Sequence, residues 1–433
     1  MKRYLILLIL NLFFILIFVF IYGCSTSTPT STPNPPSSSS IPVSSTPVPA
    51  NIDTNDTKDT MDTTDTKNTF NRMFGSDQHK IVLNNFVRNA FADTVAIDVA
   101  YVTNRKMLNN SSSLACSNNS FSVEASNASS LAYGICRVNV PKLHRVGNFE
   151  ITSNPRANPH QYFRVIKHNP LTENLLQSYL LQLQEQHPSD ILVFVHGFNV
   201  KFEEAVIRTA QIAYDLKYQG PVILFSWPAG ASSGVFESAM INKTYENNLK
   251  SAVHSVPHFT YFMKKLANIG IKVHLIIHSM GHQLAIPALA QLVLSNQGIS
   301  NSNLENKKFI GELILNAPDI PVNDFERLLP SLKKIAERIT VYCSYNDNAI
   351  AVSEIYNKNR RMGGCEKLDG IDSINVGEID APTLGIGGLG HGLYSSRSIL
   401  TDIFQLLLGI DAEKRLFIRK SEPNSTEDFY LRP

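Results

Sequence analysis

Short apolar runs alternate with stretches of helical period along the body of this chain. Runs at 95–103, 134–140 and 162–167 predict strands, and 171–186 then carries apolar residues at helical spacing. From there the order becomes regular. A strand at 191–195 leads to a helix at 202–218, a strand at 222–226 to a long helical stretch at about 245–268, and a strand at 273–277 to a helix at 283–295. Strands at 312–315, 339–343 and 373–376 follow, and 395–408 closes the pattern as a helix. Continuously apolar strands separated by helices predict an α/β fold with a mainly parallel central sheet covered by helices on both faces. In such sheets ligands bind at the carboxyl ends of the strands, so the residues just past each run are the candidates for chemistry.

The first 68 residues break the pattern. Met1-Lys2-Arg3 is positively charged, residues 4–23 are apolar apart from Asn11, and the run ends at Tyr22-Gly23-Cys24. This predicts an export signal at 1–23. A small residue directly before a cysteine resembles the lipobox of bacterial lipoproteins, which implies cleavage of the signal and lipidation of Cys24. The alternative is an uncleaved signal anchor, since the apolar run is long enough to span a bilayer. Residues 24–68 are rich in Ser, Thr, Pro, Asp and Asn with almost nothing to bury, and predict a disordered tether. The folded domain is then 69–433. The expected location is the bacterial cell envelope, lipid-anchored and extracytoplasmic, with Ser25 pointing to the outer membrane facing the periplasm in a Gram-negative cell.

Composition narrows the function classes. The 433 residues supply ample apolar content for a large core, and a formal charge of +2 gives no electrostatic footprint for nucleic acid. After Cys24, Cys116 and Cys136 bracket one loop and Cys343 and Cys365 another, so two local disulfides are expected in an oxidising compartment. For Cys343, in an apolar run, a buried free thiol is the rival expectation.

The run at 273–277 ends in His278-Ser279-Met280-Gly281, a strand closing on a serine inside a tight turn before a helix. That is the pattern of a nucleophile elbow, which exposes the serine at the carboxyl edge of a sheet and turns the next amide toward a developing oxyanion. Gly281 meets the demand for a small residue. Ile277 stands where glycine or alanine is usual.

A serine hydroxyl needs an imidazole to take its proton and a carboxylate to orient that imidazole, in the chain order serine, acid, histidine. Downstream of His282 the one histidine is His391, in the glycine-dense loop 385–392. Asp347, just past the run 339–343, is the chosen acid, with Asp319 and Asp380 as alternatives. Met280 N–H and Phe198 N–H, the latter in Val195-His196-Gly197-Phe198-Asn199, are the expected oxyanion donors. His196 is expected to prop that loop, and Asn199 to prop it or to cap the helix at 202. Trp227 and Phe198 are expected to contact substrate, and Trp227 and Phe236, with the stretch 230–234 between them, to form a site wall or flap, ordinary packing being the alternative for each aromatic. His274, His278 and His282 recur every four residues but span a strand and a turn, so no metal site is expected from them. His254 and His258 fall in a helical stretch that Pro257 is expected to interrupt.

Together Val195 to Asn199, Ser226-Trp227-Pro228, His278 to Gly281, Ala317-Pro318-Asp319, Ser344 to Asp347 and His391 resemble the bacterial alpha/beta-hydrolase family of unassigned substrate, many of whose members are lipoproteins. The likeness also takes in Thr103-Asn104-Arg105 and the segment from Tyr133 to Gly147. It implies an alpha/beta-hydrolase fold. The expected function is a membrane-tethered extracytoplasmic serine hydrolase that cleaves carboxylic esters or thioesters through an acyl-serine intermediate, with no metal or organic cofactor. Its expected partners are a small-molecule or lipid ester and the membrane, reached through the N-terminal lipid. Two other classes fit the same motifs: a catalytically silent binding or assembly lipoprotein, and an acyltransferase using the same acyl-enzyme.

Overall fold

The computed structural model describes residues 95–432 apart from 109–115, 119, 127–130, 153, 155–156, 187, 232–240, 296–307 and 380–392. The signal, the tether, Cys24, Phe236, Asp380 and His391 therefore lie outside the described residues. The described chain runs β1 (Val95–Thr103), β2 (Arg105–Met107), β3 (Phe121–Ala125), β4 (Ala132–Val140), β5 (Arg164–Leu171), α1 (Glu173–Gln186), β6 (Ile191–Val195), α2 (Phe202–Asp215), β7 (Val222–Ser226), α3 (Ile241–Ile269) and β8 (Val273–His278). It continues as α4 (His282–Ser295), β9 (Ile310–Asn316), α5 (Val322–Ile335), β10 (Ala336–Cys343), α6 (Asn348–Asn357), β11 (Asp372–Asn375), α7 (Arg397–Leu407), β12 (Ile418–Lys420) and β13 (Phe429–Leu431).

Eleven strands form one sheet in the order β12-β13-β11-β10-β9-β8-β6-β7-β1-β4-β5. From β1 to β13 neighbours pair parallel, while β4, β5 and β12 add antiparallel edges. The central strands β6, β7 and β9 are buried at every residue, which is why β6 reads as an unbroken apolar run and β7 as one up to its last residue, while β9 buries Glu312 and Asn316 among its apolar positions. Alternate side chains enter two cores. Val193, Ile277 and Leu315 pack with α3, α4 and α5 on one face, and Phe194, Ile276 and Ile314 with α2 and α7 on the other. Each such Val, Ile or Leu contributes about 1.5–3 kcal/mol by leaving water.

Several expectations are corrected in detail. The helix expected at 202–218 stops at Asp215, the one expected from 171 begins at Glu173, and the last begins at Arg397. Pro257 does not interrupt α3, which runs through it. The antiparallel β2–β3 hairpin, α5, α6, β12 and β13 were outside the sequence expectation.

Both expected disulfides are present, Cys116–Cys136 and Cys343–Cys365. The second ties the end of β10 to the turn Met362–Gly364, directly ahead of the Asp347 loop. The segment from Tyr133 to Gly147 is structural. Gly134 lies so close to the Tyr101 ring that a Cβ would meet it at 2.5 Å. Beyond β4, buried His144 sits between Glu150 at 2.7 Å and Asp215 at 2.8 Å, fastening the loop to the end of α2.

Burial works against a charge on His144, but the bonds to Asp215 and Glu150 outweigh it and raise the imidazole to about 9. A raised folded-state value means stability is fully present below the unfolded histidine range near 6.5 and is lost as pH rises through about 9. The expected contribution is roughly 3 kcal/mol. Thermal unfolding should therefore show a melting temperature that falls between pH 7 and 10 in the wild type and falls less in His144→Gln; equal slopes would contradict the assignment.

Candidate active site

Parallel β10, β9, β8, β6 and β7 are consecutive neighbours, so the residues past their carboxyl ends converge on one edge of the sheet. β8 ends at His278, and Ser279–Gly281 makes a single 3-10 turn before α4 begins. Ser279 takes a left-handed backbone conformation, φ 53°. Left-handed geometry costs a side-chain-bearing residue about 1–2 kcal/mol and is the signature of a strained elbow. Asn199 (φ 55°) and Ala317 (φ 46°), past β6 and β9, share it, so three of the strained positions gather at this edge. Ile277 does not prevent the turn. Its side chain is fully buried in the core, and a Cβ placed on Gly281 would stand an ordinary 3.4 Å from it.

The loop after β6 lies directly on the elbow. A Cβ on Gly197 would fall 2.7 Å from the Cβ of Ser279, and one on Gly281 would fall 2.6 Å from the carbonyl oxygen of His196. Both positions must be glycine for the two backbones to approach this closely. Next to Gly197 is Phe198, half-buried, its ring 5.8 Å from that of Tyr245. Asn199 does not cap α2, whose N-cap is Lys201. Its amide instead donates to Asn248 Oδ1 at 3.1 Å, and the same oxygen accepts from Gly230 N–H at 3.0 Å.

His196 props this loop from beneath, as expected. It is 1% exposed, stacks on Trp227, and receives the Trp227 Nε1–H bond on its carbonyl at 2.8 Å. Burial, reinforced by the charge of Arg105, pushes its imidazole down to about 3, so it stays neutral. Trp227 is placed differently from the substrate contact expected of it: it is fully buried and supports the loop from within.

Past β10, buried Asp347 caps α6, its Oδ1 accepting from Ala349 N–H at 3.0 Å and Ile350 N–H at 3.1 Å. Its Oδ2 accepts from Tyr394 O–H at 3.3 Å. Burial, with the nearby Asp347 charge, holds the Tyr394 phenol far above its ordinary range, so it remains a donor. The alternative acid, Asp319, is committed elsewhere. Its carboxylate accepts from Ser353 Oγ at 2.6 Å and Tyr245 O–H at 3.0 Å, and faces Arg361 Nε at 3.3 Å. The Asp319 amide donates to the Ser279 carbonyl at 3.3 Å, which binds this loop to the elbow as a brace.

His391 is outside the described residues but precedes Tyr394 by three positions in the chain. Two of the three histidines spaced around the elbow have structural partners. His274 accepts from Glu312 N–H at 3.2 Å and faces Asp190 at 3.1 Å, while His282 Nδ1 lies 2.7 Å from the Ser279 carbonyl. Among the described residues no group of three or more His, Cys, Asp or Glu side chains is placed to share an ion.

Sequence reasoning missed Asn248, Tyr394 and the part played by Arg105. Asn248 is 2% exposed on α3, whose buried face also carries Ser255, so its position left no clear apolar stripe in the sequence to mark it. The arrangement offers a serine on a strained backbone, an adjacent backbone loop pressed against it, and a buried carboxylate two strands further along the sheet. A family model described as an alpha/beta hydrolase of unknown function matches residues 173–408, from α1 to the end of α7. No curated protein and no solved structure matches the chain.

Proposed function

This chain belongs to the alpha/beta-hydrolase family of unknown function (DUF900), and from that premise we propose that it is a serine hydrolase acting on carboxylic esters or thioesters through an acyl-serine intermediate. The observation that carries the reading is Ser279 held left-handed at the end of β8 with the Gly197 loop pressed against it. An elbow of that shape has a cost, and a serine that merely ended a strand would not need it.

In this reading Ser279 Oγ attacks the carbonyl carbon while His391 takes the hydroxyl proton. The amides of Phe198 and Met280 hold the tetrahedral oxyanion. His391 then returns the proton to the leaving alcohol or thiol, and water repeats the sequence on the acyl-serine. Asp347 orients His391 and offsets its charge. The N-terminal features support a protein exported and anchored through lipid on Cys24, with the domain held outside the cytoplasm by the 24–68 tether and acting on small or lipid esters near the membrane.

The test is turnover of p-nitrophenyl esters of graded acyl length by the full-length protein in detergent. The wild type should hydrolyse at least one, and His391→Ala should lower kcat by about 10⁴-fold or more. A folded wild type that turns over none, and accumulates no acyl-enzyme, would overturn the proposal.

A further inference from the structure

Thr103-Asn104-Arg105 lies outside the family match and has no part in the mechanism above, yet all three residues are buried to within 2% exposure. Thr103 Oγ1 donates to the Ser226 carbonyl at 2.6 Å, and Asn104 Nδ2 donates to Ser255 Oγ on α3 at 2.9 Å. Arg105 goes further. Its Nε donates to Ser226 Oγ at 2.8 Å, one terminal nitrogen to the carbonyls of Ala229 at 2.7 Å and Ser122 at 3.4 Å, and the other to the Val200 carbonyl at 2.8 Å. That last nitrogen also lies 3.3 Å from His196 Nε2.

We infer that Arg105 is a positioning residue for the oxyanion loop, acting through the tautomer of His196 to aim the Phe198 amide. The inference rests on the serine-hydrolase reading. A guanidinium has only donors, so the nitrogen it faces, His196 Nε2, must present a lone pair. The proton of the neutral ring is therefore on Nδ1, which lies 3.0 Å from the Gly197 carbonyl oxygen and donates to it. The Gly197–Phe198 peptide is planar and trans, so its carbonyl and its N–H point in opposite directions. Pinning the Gly197 carbonyl down onto the buried ring leaves the Phe198 N–H directed away from it, at the strand ends where Ser279 sits. The Val200 bond holds the far side of the same loop, and Trp227 Nε1–H holds the His196 carbonyl.

A second observation concerns charge. Among the described residues Arg105 hydrogen-bonds only to carbonyls, a hydroxyl and an imidazole, with Glu204 acting at longer range. Burying a cation without a carboxylate against it is costly for stability. The same cation under a loop that must bind an oxyanion favours the anion throughout the reaction, because it is fixed in place beforehand. Stability alone does not account for an arginine here.

The experiment compares the full-length wild type with Arg105→Lys, Arg105→Met, His196→Asn and His196→Leu on an oxoester and its thionoester counterpart. Sulfur is a poor acceptor, so thionoester turnover depends little on the amides of the hole. Both Arg105 variants should lower oxoester kcat by about 100-fold with KM changed by less than about 2-fold, the size of effect expected from one misplaced donor. They should also lower the oxoester-to-thionoester rate ratio by nearly the same factor, about 100-fold, which general loosening of the fold would not do. His196→Asn, whose amide nitrogen stands where Nδ1 does, should retain more oxoester activity than His196→Leu. Wild-type kcat in a folded Arg105 variant, or equal losses on both esters, would overturn the inference. If the Arg105 variants do not fold, equal oxoester activity in the two His196 variants overturns it. A wild type inactive on every ester would instead sink the serine-hydrolase reading.

Discussion

Ser279→Gly is expected to abolish ester turnover and to raise the melting temperature together. The hydroxyl is the attacking atom in the proposed reaction, so its removal should lower kcat by about 10⁴-fold or more. The backbone at 279 is left-handed, φ 53°, and glycine adopts that conformation without the steric cost a serine bears. Relief of about 1 kcal/mol should raise the melting temperature by about 2 °C in a domain of this size. Ser279→Ala keeps a Cβ in the strained position and should lose the activity without the gain in stability. Calorimetry of the three proteins checks this. Equal melting temperatures for glycine and alanine would contradict strain at the elbow, and surviving turnover in either would contradict the nucleophile.

Asp347 has two jobs that substitution separates. Its Oδ1 caps α6 through two backbone amides, while its Oδ2 takes the Tyr394 hydroxyl at the end of the segment that follows His391. Asp347→Asn retains an oxygen for the cap but loses the negative charge and turns an N–H where an imidazole N–H should donate. It should leave stability within about 0.5 kcal/mol of wild type and lower kcat by about 10⁴-fold. Asp347→Ala should lose the same activity and a further 1 kcal/mol or so of stability with the cap. Urea unfolding and ester kinetics on both variants decide the matter. An active Asn variant would mean that Asp347 is a helix cap alone.

The parallel strands were legible because both faces of the sheet are covered. β1, β6 and β7 match the expected bounds residue for residue, since nearly every position in the last two is apolar and buried. α6 was not legible. Its outward positions Val352, Ile355 and Tyr356 are exposed and apolar while Ser353 is turned inward, which inverts the helical pattern that periodicity seeks. β12 and β13 have three residues each, too few for a period of two to register.

In the site, Ser279, Asp347 and the Gly197 loop could be placed from sequence because each follows a strand directly. Trp227 also follows a strand, and its burial shows that position at a strand end does not by itself open a side chain to substrate. Arg105 could not be read at all. Four of its partners, His196, Val200, Ser226 and Ala229, stand 91 to 124 positions away, and only the sheet order brings β1 beside β7 and their loops together.

The central claim is that Ser279 is an activated nucleophile, and fluorophosphonate labelling of the full-length protein tests it most directly. The account predicts that the wild type is labelled, that peptide mass spectrometry places the adduct on Ser279, and that Ser279→Gly and His391→Ala lose the label while remaining folded. A folded wild type left unlabelled, or labelled at another residue, would contradict it.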